Sequence, residues 1–455
     1  MKHYRFRRWR QKHMPKLSAT QIIAIAFALI ILIGTGLLML PVSAKDGQST
    51  GFLDCLFTAT SATCVTGLVP FDTGSHWSGF GQSVILTLIE LGGLGFMSIA
   101  SLFVFLFRRR VGLKQRMIMA QALSLNEMDG VIHLQKWVLG GSLSIQGLGA
   151  LVLFFRFLPE FGVGRAAWYG VFHSVSAFCN AGFDIFGYGD SVMRFQSDPV
   201  VLITIMVLVA VGGLGFFVWE EVARLHSWRK FSVYTKLVLL ASLVLTLGGA
   251  AAICLTEWNN PETLGNLSTG DKILGSFFQS VTVRTAGFDG LDQAGLTGAG
   301  KGISMVLMLI GGSSGSTAGG LKTVTMVVIV LFVWARARGR SEISVFKHSI
   351  HPDKVMDAMS IAGIMVGLAF FGGIFISATS PGVEFTDGLF ESVSALATVG
   401  LTSGATPLLS VPAQLMIVIF MYFGRVGVLT LSLGFLTADR AEGRFRYAYT
   451  SLLIG

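Results

Sequence analysis

Four glycines, Gly67, Gly182, Gly287 and Gly400, stand nine or ten residues after the start of one recurring phrase. Its copies read Phe57-Thr-Ala-Thr-Ser61, Phe172-His-Ser-Val-Ser176, Phe278-Gln-Ser-Val-Thr282 and Phe390-Glu-Ser-Val-Ser394. The Phe positions step by 115, 106 and 112 residues, and each glycine is followed by Leu or Phe. Glycine adopts backbone conformations that other residues avoid, so it can turn carbonyl oxygens toward an axis. Four such turns meeting at one axis can replace the hydration shell of a cation. The expected filter segments are Val65-Thr66-Gly67-Leu68, Asn180-Ala181-Gly182-Phe183, Thr285-Ala286-Gly287-Phe288 and Thr398-Val399-Gly400-Leu401. Only the glycine is common to all four, so discrimination is expected of backbone oxygens, with the ion held at the glycines.

The elements that position these turns are apolar. The chain of 455 residues is 52% hydrophobic and 13% charged, about half the charge of an ordinary soluble protein. Eight runs are long enough to read as membrane spans: 20–40, 80–107, 136–158, 199–223, 234–256, 302–334, 356–379 and 411–437. They leave no room for a separate soluble domain. The net charge of +9 does not mark a nucleic-acid surface, because 24 of the 34 basic residues fall in five alternate segments. These are 2–16, 108–116, 224–236, 336–354 and 440–446, as expected of the cytoplasmic side of a membrane. Both termini then face the cytoplasm, and the first helix reads as retained. The expected divisions are a basic N-terminus 1–18, pore repeats 19–107, 108–223, 224–335 and 336–437, and a tail 438–455. The four cysteines have neither metal-site nor disulfide spacing.

The second repeat shows the physical logic. Leu158-Pro159 ends the outgoing span. Residues 168–178 are apolar but too short to cross, which suits a re-entrant half-helix. Cys179-Asn-Ala-Gly182 follows, and extended backbone at that depth is tolerated only inside protein or along a water-filled path. The half-helix also directs the negative end of its dipole toward a cation. The fold expected is all-α and polytopic: four helix–re-entrant loop–helix repeats, eight transmembrane helices, around a pore with pseudo-fourfold symmetry.

The returning spans differ. The first two carry Gly92-Gly-Leu-Gly95 and Gly212-Gly-Leu-Gly215, small residues that let helices approach closely. The third carries Gly311-Gly312-Ser313-Ser314-Gly315-Ser316-Thr317-Ala318-Gly319-Gly320, a run of poor helix formers that predicts a broken helix and a loop below the filter. Leu321 separates Gly320 from Lys322, so this run is not a phosphate-binding loop. Arg425 lies in the fourth returning span beside Gly424, which is 24 residues after Gly400 as Gly311 is after Gly287. An intramembrane arginine needs partners, and the loop carbonyls are natural ones. Lys322 is expected to snorkel to the cytoplasm. Arg284 is expected to pair with Asp289 or Glu391, and Glu90, Glu220 and Glu221 to face water or anchor at interfaces. No nucleophile–base set is visible, and no enzymatic activity is expected.

On these residues the chain resembles the Trk/Ktr/HKT superfamily of potassium transporters, over nearly its whole length. Four single-glycine pore loops, Arg284-Thr-Ala-Gly-Phe288, the break 311–320 and Arg425 carry the resemblance. With eight spans and no extra N-terminal pair, it looks most like the membrane subunit of the Ktr branch. The resemblance implies K+ uptake, the loop as gate, Na+ as an activator and no covalent cofactor. It also implies a homodimer in the lipid membrane and a cytosolic ring of nucleotide-binding regulatory subunits of the RCK type. Gly67, rather than the serine of sodium-preferring plant relatives, favours potassium. The rival readings are a sodium-selective or unselective monovalent cation transporter, and a secondary transporter with a midplane site.

Overall fold

A computed structural model describes residues 19–95, 131–187, 189–340 and 342–427. The segments 1–18 and 438–455, the link 108–116 and the far ends of the expected spans 80–107 and 411–437 lie outside the described residues.

Outgoing helices are long. They are α1 (Ala19–Leu38), the first part of α4 (Val131–Phe178), α7 (Val233–Glu257) and α11 (Pro352–Thr379). Among the described residues these four are long and apolar enough to cross a membrane. Each leads to a short re-entrant helix. Those are α2 (Phe52–Cys64), the last part of α4, α8 (Thr269–Thr282) and α12 (Phe385–Ala397). Helix α4 is two helices merged at a kink after Pro159, where Gly162 has φ 73° and ψ 168°.

Returning helices are shorter than the sequence suggests. Helix α3 (Gly79–Gly93) and α5 (Pro199–Leu214) end in the expected glycine runs. Helix α9 (Gly298–Leu309) stops just before its run, and α13 (Val411–Val426) stops at Gly427. Each is started by a side-chain cap: Ser78, Asp198, Thr297 and Ser410 accept from backbone N–H groups of the first turn. The unbroken span expected over 199–223 is therefore corrected, whereas the break expected at 311–320 within 302–334 is present. The first bends by 94° between α5 and α6 (Phe216–Leu225). The second opens at 310–322 before α10 (Thr323–Ala337) resumes. The physical cause lies in the glycines: Gly95, Gly215 and Gly427 have φ of 79°, 93° and 94°, conformations that helices cannot continue through.

The molecule is apolar outside and partly polar within. Leu29, Ile33, Leu148, Phe155, Val244, Leu255 and Phe371 stand exposed on the outgoing helices. The re-entrant helices are buried with their hydroxyls. Where acyl chains are the solvent, such an exterior carries no penalty. Phe57, Phe172, Phe278 and Phe390 are among the largest fully buried side chains, so each phrase is anchored at its first residue.

Candidate ion-conduction site

The re-entrant helices end alike. Val65, Asn180, Thr285 and Thr398, each two residues before a filter glycine, all have positive φ, at 51°, 58°, 67° and 53°. In three repeats the next amide bonds five residues back: Thr66 to Ser61, Ala181 to Ser176 and Val399 to Ser394, each 2.8 Å. This is a Schellman cap made without glycine. Holding β-branched residues there costs about 1–3 kcal/mol each and requires surrounding structure to enforce it. The third loop is one residue shorter from Phe to Gly, and Ala286 bonds to Thr282 only four residues back, at 2.9 Å. The missing residue is absorbed at the helix end, and Thr285 keeps the shared conformation.

The four glycines close a ring. A Cβ placed on Gly67 would lie 2.7 Å from the Ala181 carbonyl oxygen, and one on Gly182 would lie 2.7 Å from that of Ala286. A Cβ on Gly287 would overlap the Val399 oxygen, and one on Gly400 would overlap the Thr66 oxygen. Each glycine thus abuts the carbonyl that precedes the next glycine, in chain order around the circle. Outward of the ring lies a cavity of about 180 Å³, lined by all four glycines and by Asp72, Asp184 and Asp289. Three carboxylates at such a mouth concentrate cations.

The last residue of each phrase braces this ring. Ser61 and Ser394 accept from the N–H of Gly67 and Gly400, both at 3.0 Å. Ser176 and Thr282 donate to the carbonyls of Phe183 and Phe288, at 2.7 and 2.8 Å.

Beneath the ring runs the segment 311–320. Its ends are tied by Gly311 N–H to Leu321 O at 2.9 Å and Thr323 N–H to Gly312 O at 3.0 Å. Ser313 and Thr317 donate their amides to the carbonyls of Gly213 and Gly212 on α5, and Phe216 N–H donates to Gly315 O. Tyr234 bonds Ser314 O, Ser316 bonds Ser313 O, and the Thr317 hydroxyl reaches Asn180 Oδ1 at 2.9 Å. Gly319 lies against Thr398, and Gly320 has φ 66°. Arg425 donates to Thr317 O and Gly92 O, and to Gly93 O at 3.0 Å.

A family model described as TrkH, a cation transport protein, matches residues 2–443. The chain belongs to this TrkH family. The potassium/sodium uptake protein NtpJ of Enterococcus hirae is 40% identical over 97% of this chain and 98% of its own. The Ktr system potassium uptake protein B of Bacillus subtilis is 39% identical over 94% of this chain and 96% of its own. The potassium transporter TrkH from Vibrio parahaemolyticus shares the fold, with a TM-score of 0.72 at 17% identity, covering 92% of this chain and 85% of its own. The apolar helices and these relatives make this TrkH-family chain an integral membrane protein.

Several expectations about charged residues are corrected. Arg284 pairs with neither Asp289 nor Glu391; its guanidinium donates to Ser242 O at 3.4 Å, within the α7 helix beside its own re-entrant helix. Glu391 instead accepts from Thr402 and, at 2.7 Å, from Thr406, tying α12 to the segment after its filter. Lys322 does not extend to the cytoplasm but folds back onto Ala318 O at 2.9 Å. Glu90 is held inside the protein by Gln146 at 3.0 Å and Cys179 at 3.3 Å. Glu221 accepts from Ser232, N–H at 2.6 Å and hydroxyl at 2.7 Å, and so fastens the start of α7. Sequence reasoning passed over Asp72 and Asp184 at this mouth and named Asp289 only as a candidate partner of Arg284. A signal was present: Ala-Gly-Phe-Asp occurs at both 181–184 and 286–289.

Proposed function

We propose that this chain is the potassium-translocating membrane subunit of a Ktr-type uptake system. The observation that carries the reading is the closed ring of Gly67, Gly182, Gly287 and Gly400, each abutting the carbonyl before the next glycine. Close carbonyls from four sides favour a dehydrated monovalent cation. The acidic mouth would supply cations, and the segment 311–320 with Arg425 would obstruct the path until displaced. Relatives named as potassium uptake proteins of Ktr systems, from Bacillus subtilis and Vibrio alginolyticus, support the ion and the subunit role. Within the same reading, the chain is a homodimer in the plasma membrane with cytoplasmic termini. It is stimulated by Na+ and binds a cytosolic ring of nucleotide-binding subunits. The alternation of basic segments supports that orientation.

The test is flux of K+, Rb+, Na+ and Li+ into liposomes containing the purified chain, with Gly287→Ser and Gly400→Ser beside it. K+ and Rb+ should pass well ahead of Na+ and Li+, and both variants should narrow that margin. Equal Na+ and K+ flux in the unaltered chain would instead assign it as an unselective or sodium-carrying transporter.

A further inference from the structure

A groove of about 420 Å³ lies between α5, α7 and α8, at the junction of the second and third repeats. Ile203, Val207 and Ala210 line it from α5, and Ile273, Phe277 and Val281 from α8. Thr246 of α7 is the single hydroxyl residue in its wall among the described residues. Water is a poor cover for such a surface, and the neighbouring side chains show what replaces it. Ile203, Val207 and Ile273 at its rim stand exposed, as do Val244 and Leu247 along α7. In an integral membrane protein those side chains stand among acyl chains, so the groove opens into lipid.

The groove has the length of one leaflet. Its lining on α8 runs from Gly270 to Val281, about 16 Å of helix at 1.5 Å per residue. Half of a bilayer's hydrocarbon core is about 15 Å. The outer end lies at the first turn of α8, where Lys272 donates to Trp258 O at 2.9 Å and sits 5.0 Å from the centre of the Trp258 ring. Tryptophan and lysine together mark the level of lipid headgroups. The inner end, at Val281, is one residue before α8 stops. An acyl chain ends at the bilayer middle, as this groove does, whereas a helix of a second copy would run on past it. Two working parts meet at that inner end. Ala210 is two residues before Gly212, whose carbonyl accepts the Thr317 amide of the intramembrane loop at 3.2 Å. Val281 precedes Thr282, whose hydroxyl holds Phe288 O. Helix α8 is fixed to α7 where Ser280 donates to Thr246 O at 2.9 Å; toward α5 it faces the groove through Phe277 and Val281.

We propose that this groove binds one acyl chain of a phospholipid in the leaflet on the mouth side of the ring, with the Lys272 ammonium beside the phosphate. That ammonium has three donors, and Trp258 O takes one of them. The chain fills the space between α5 and α8. It steadies the third re-entrant helix and, through α5, the carbonyl of Gly212 on which the loop hangs. The site rests on the membrane location of the protein and not on which ion the ring passes.

The test uses the full chain in detergent micelles stripped of lipid, with dioleoyl-phosphatidylglycerol added back. Native mass spectrometry should show the phospholipid held on the unaltered chain. Amide hydrogen exchange over 276–282 should slow about fivefold when the lipid is added. Ala210→Phe places a ring at the inner end of the groove. It should lower lipid retention and keep exchange slow with or without lipid, because the ring supplies the missing bulk. Val207→Trp should do the same from nearer the rim, and it decides the matter if Ala210→Phe fails to assemble. Lys272→Gln should lower retention without filling the groove, so its exchange should stay fast at lipid concentrations that slow the unaltered chain. Val244→Phe, on exposed α7 surface outside the groove, should behave as the unaltered chain. Equal lipid retention in the unaltered chain and the filled variants, or exchange indifferent to the lipid, overturns the proposal. So does a disulfide joining two copies in native membranes through Val207→Cys and absent without it, since a second chain would then cover the groove.

Discussion

Arg425 donates to the carbonyl oxygen of Thr317, joining the fourth returning helix to the loop of the third repeat across 108 residues of sequence. The same guanidinium bonds Gly92 O and Gly93 O on α3. One side chain thus ties three repeats together at a single depth. Arginine suits the task because its planar fork reaches carbonyls in two directions at once.

The first prediction follows from that fork. Arg425→Ala removes charged hydrogen bonds worth about 1.5–3 kcal/mol each, so K+ flux should rise about tenfold or more with the fold retained. Arg425→Lys, a single point of charge, should fall between. Deleting part of 312–319 should raise flux too, and the double variant should add little, because both changes act on one element. Liposome flux measures all three. Multiplicative increases would mean that Arg425 does not hold the loop.

The second concerns the glycine ring, whose members are unequal. A Cβ would overlap backbone oxygens outright at Gly287 and Gly400, but would sit 2.7 Å from them at Gly67 and Gly182. Loss of K+ over Na+ discrimination on replacement by Ser should therefore be larger for Gly287 and Gly400. A reversed order in the flux ratios would mean that the ring relaxes in a way its contacts do not suggest.

Much of this arrangement was legible in the sequence because it repeats. Four phrases in phase with four glycines locate the re-entrant helices, and a run of glycine and serine marks the break after Leu309. Other features were hidden by their chemistry. Gly215 and Gly427 look like small packing residues, and their role in stopping helices depends on a backbone angle that composition does not carry. Arg284 looks like half of an ion pair because charge suggests a counter-charge. Its actual acceptor, the Ser242 carbonyl, lies on a neighbouring helix and leaves no trace in side-chain types. The final Ser or Thr of each phrase was visible, but not the different bonds it makes in different repeats.

Those bonds give the third prediction. Ser61 and Ser394 hold the N–H of Gly67 and Gly400. Replacing either by Ala strands a buried N–H, at a cost of about 1–3 kcal/mol, and loosens the glycine it held. Ser61→Ala and Ser394→Ala should lower the melting temperature modestly and reduce the K+/Na+ flux ratio. Thr282→Ser should be near neutral, since it keeps the hydroxyl that reaches Phe288 O. If the alanine variants keep full selectivity, the ring does not need this bracing.

The fourth separates helix breaking from loop support. Gly215 has φ 93° and ψ 137°, a conformation nearly closed to other residues. A Cβ there would also meet Ser314 O at 2.9 Å, and the next residue, Phe216, donates to Gly315 O. Gly95 has φ 79°, and among the described residues nothing lies within 4 Å of a Cβ placed on it. Gly95→Ala should therefore cost backbone strain alone, about 1–3 kcal/mol, with little change in flux. Gly215→Ala should cost at least as much and also displace the loop, changing flux far more than ion selectivity. Thermal unfolding reads the first effect and liposome flux the second. If both variants lose the same stability and neither alters flux, the bend at Gly215 shapes the helix without positioning the loop.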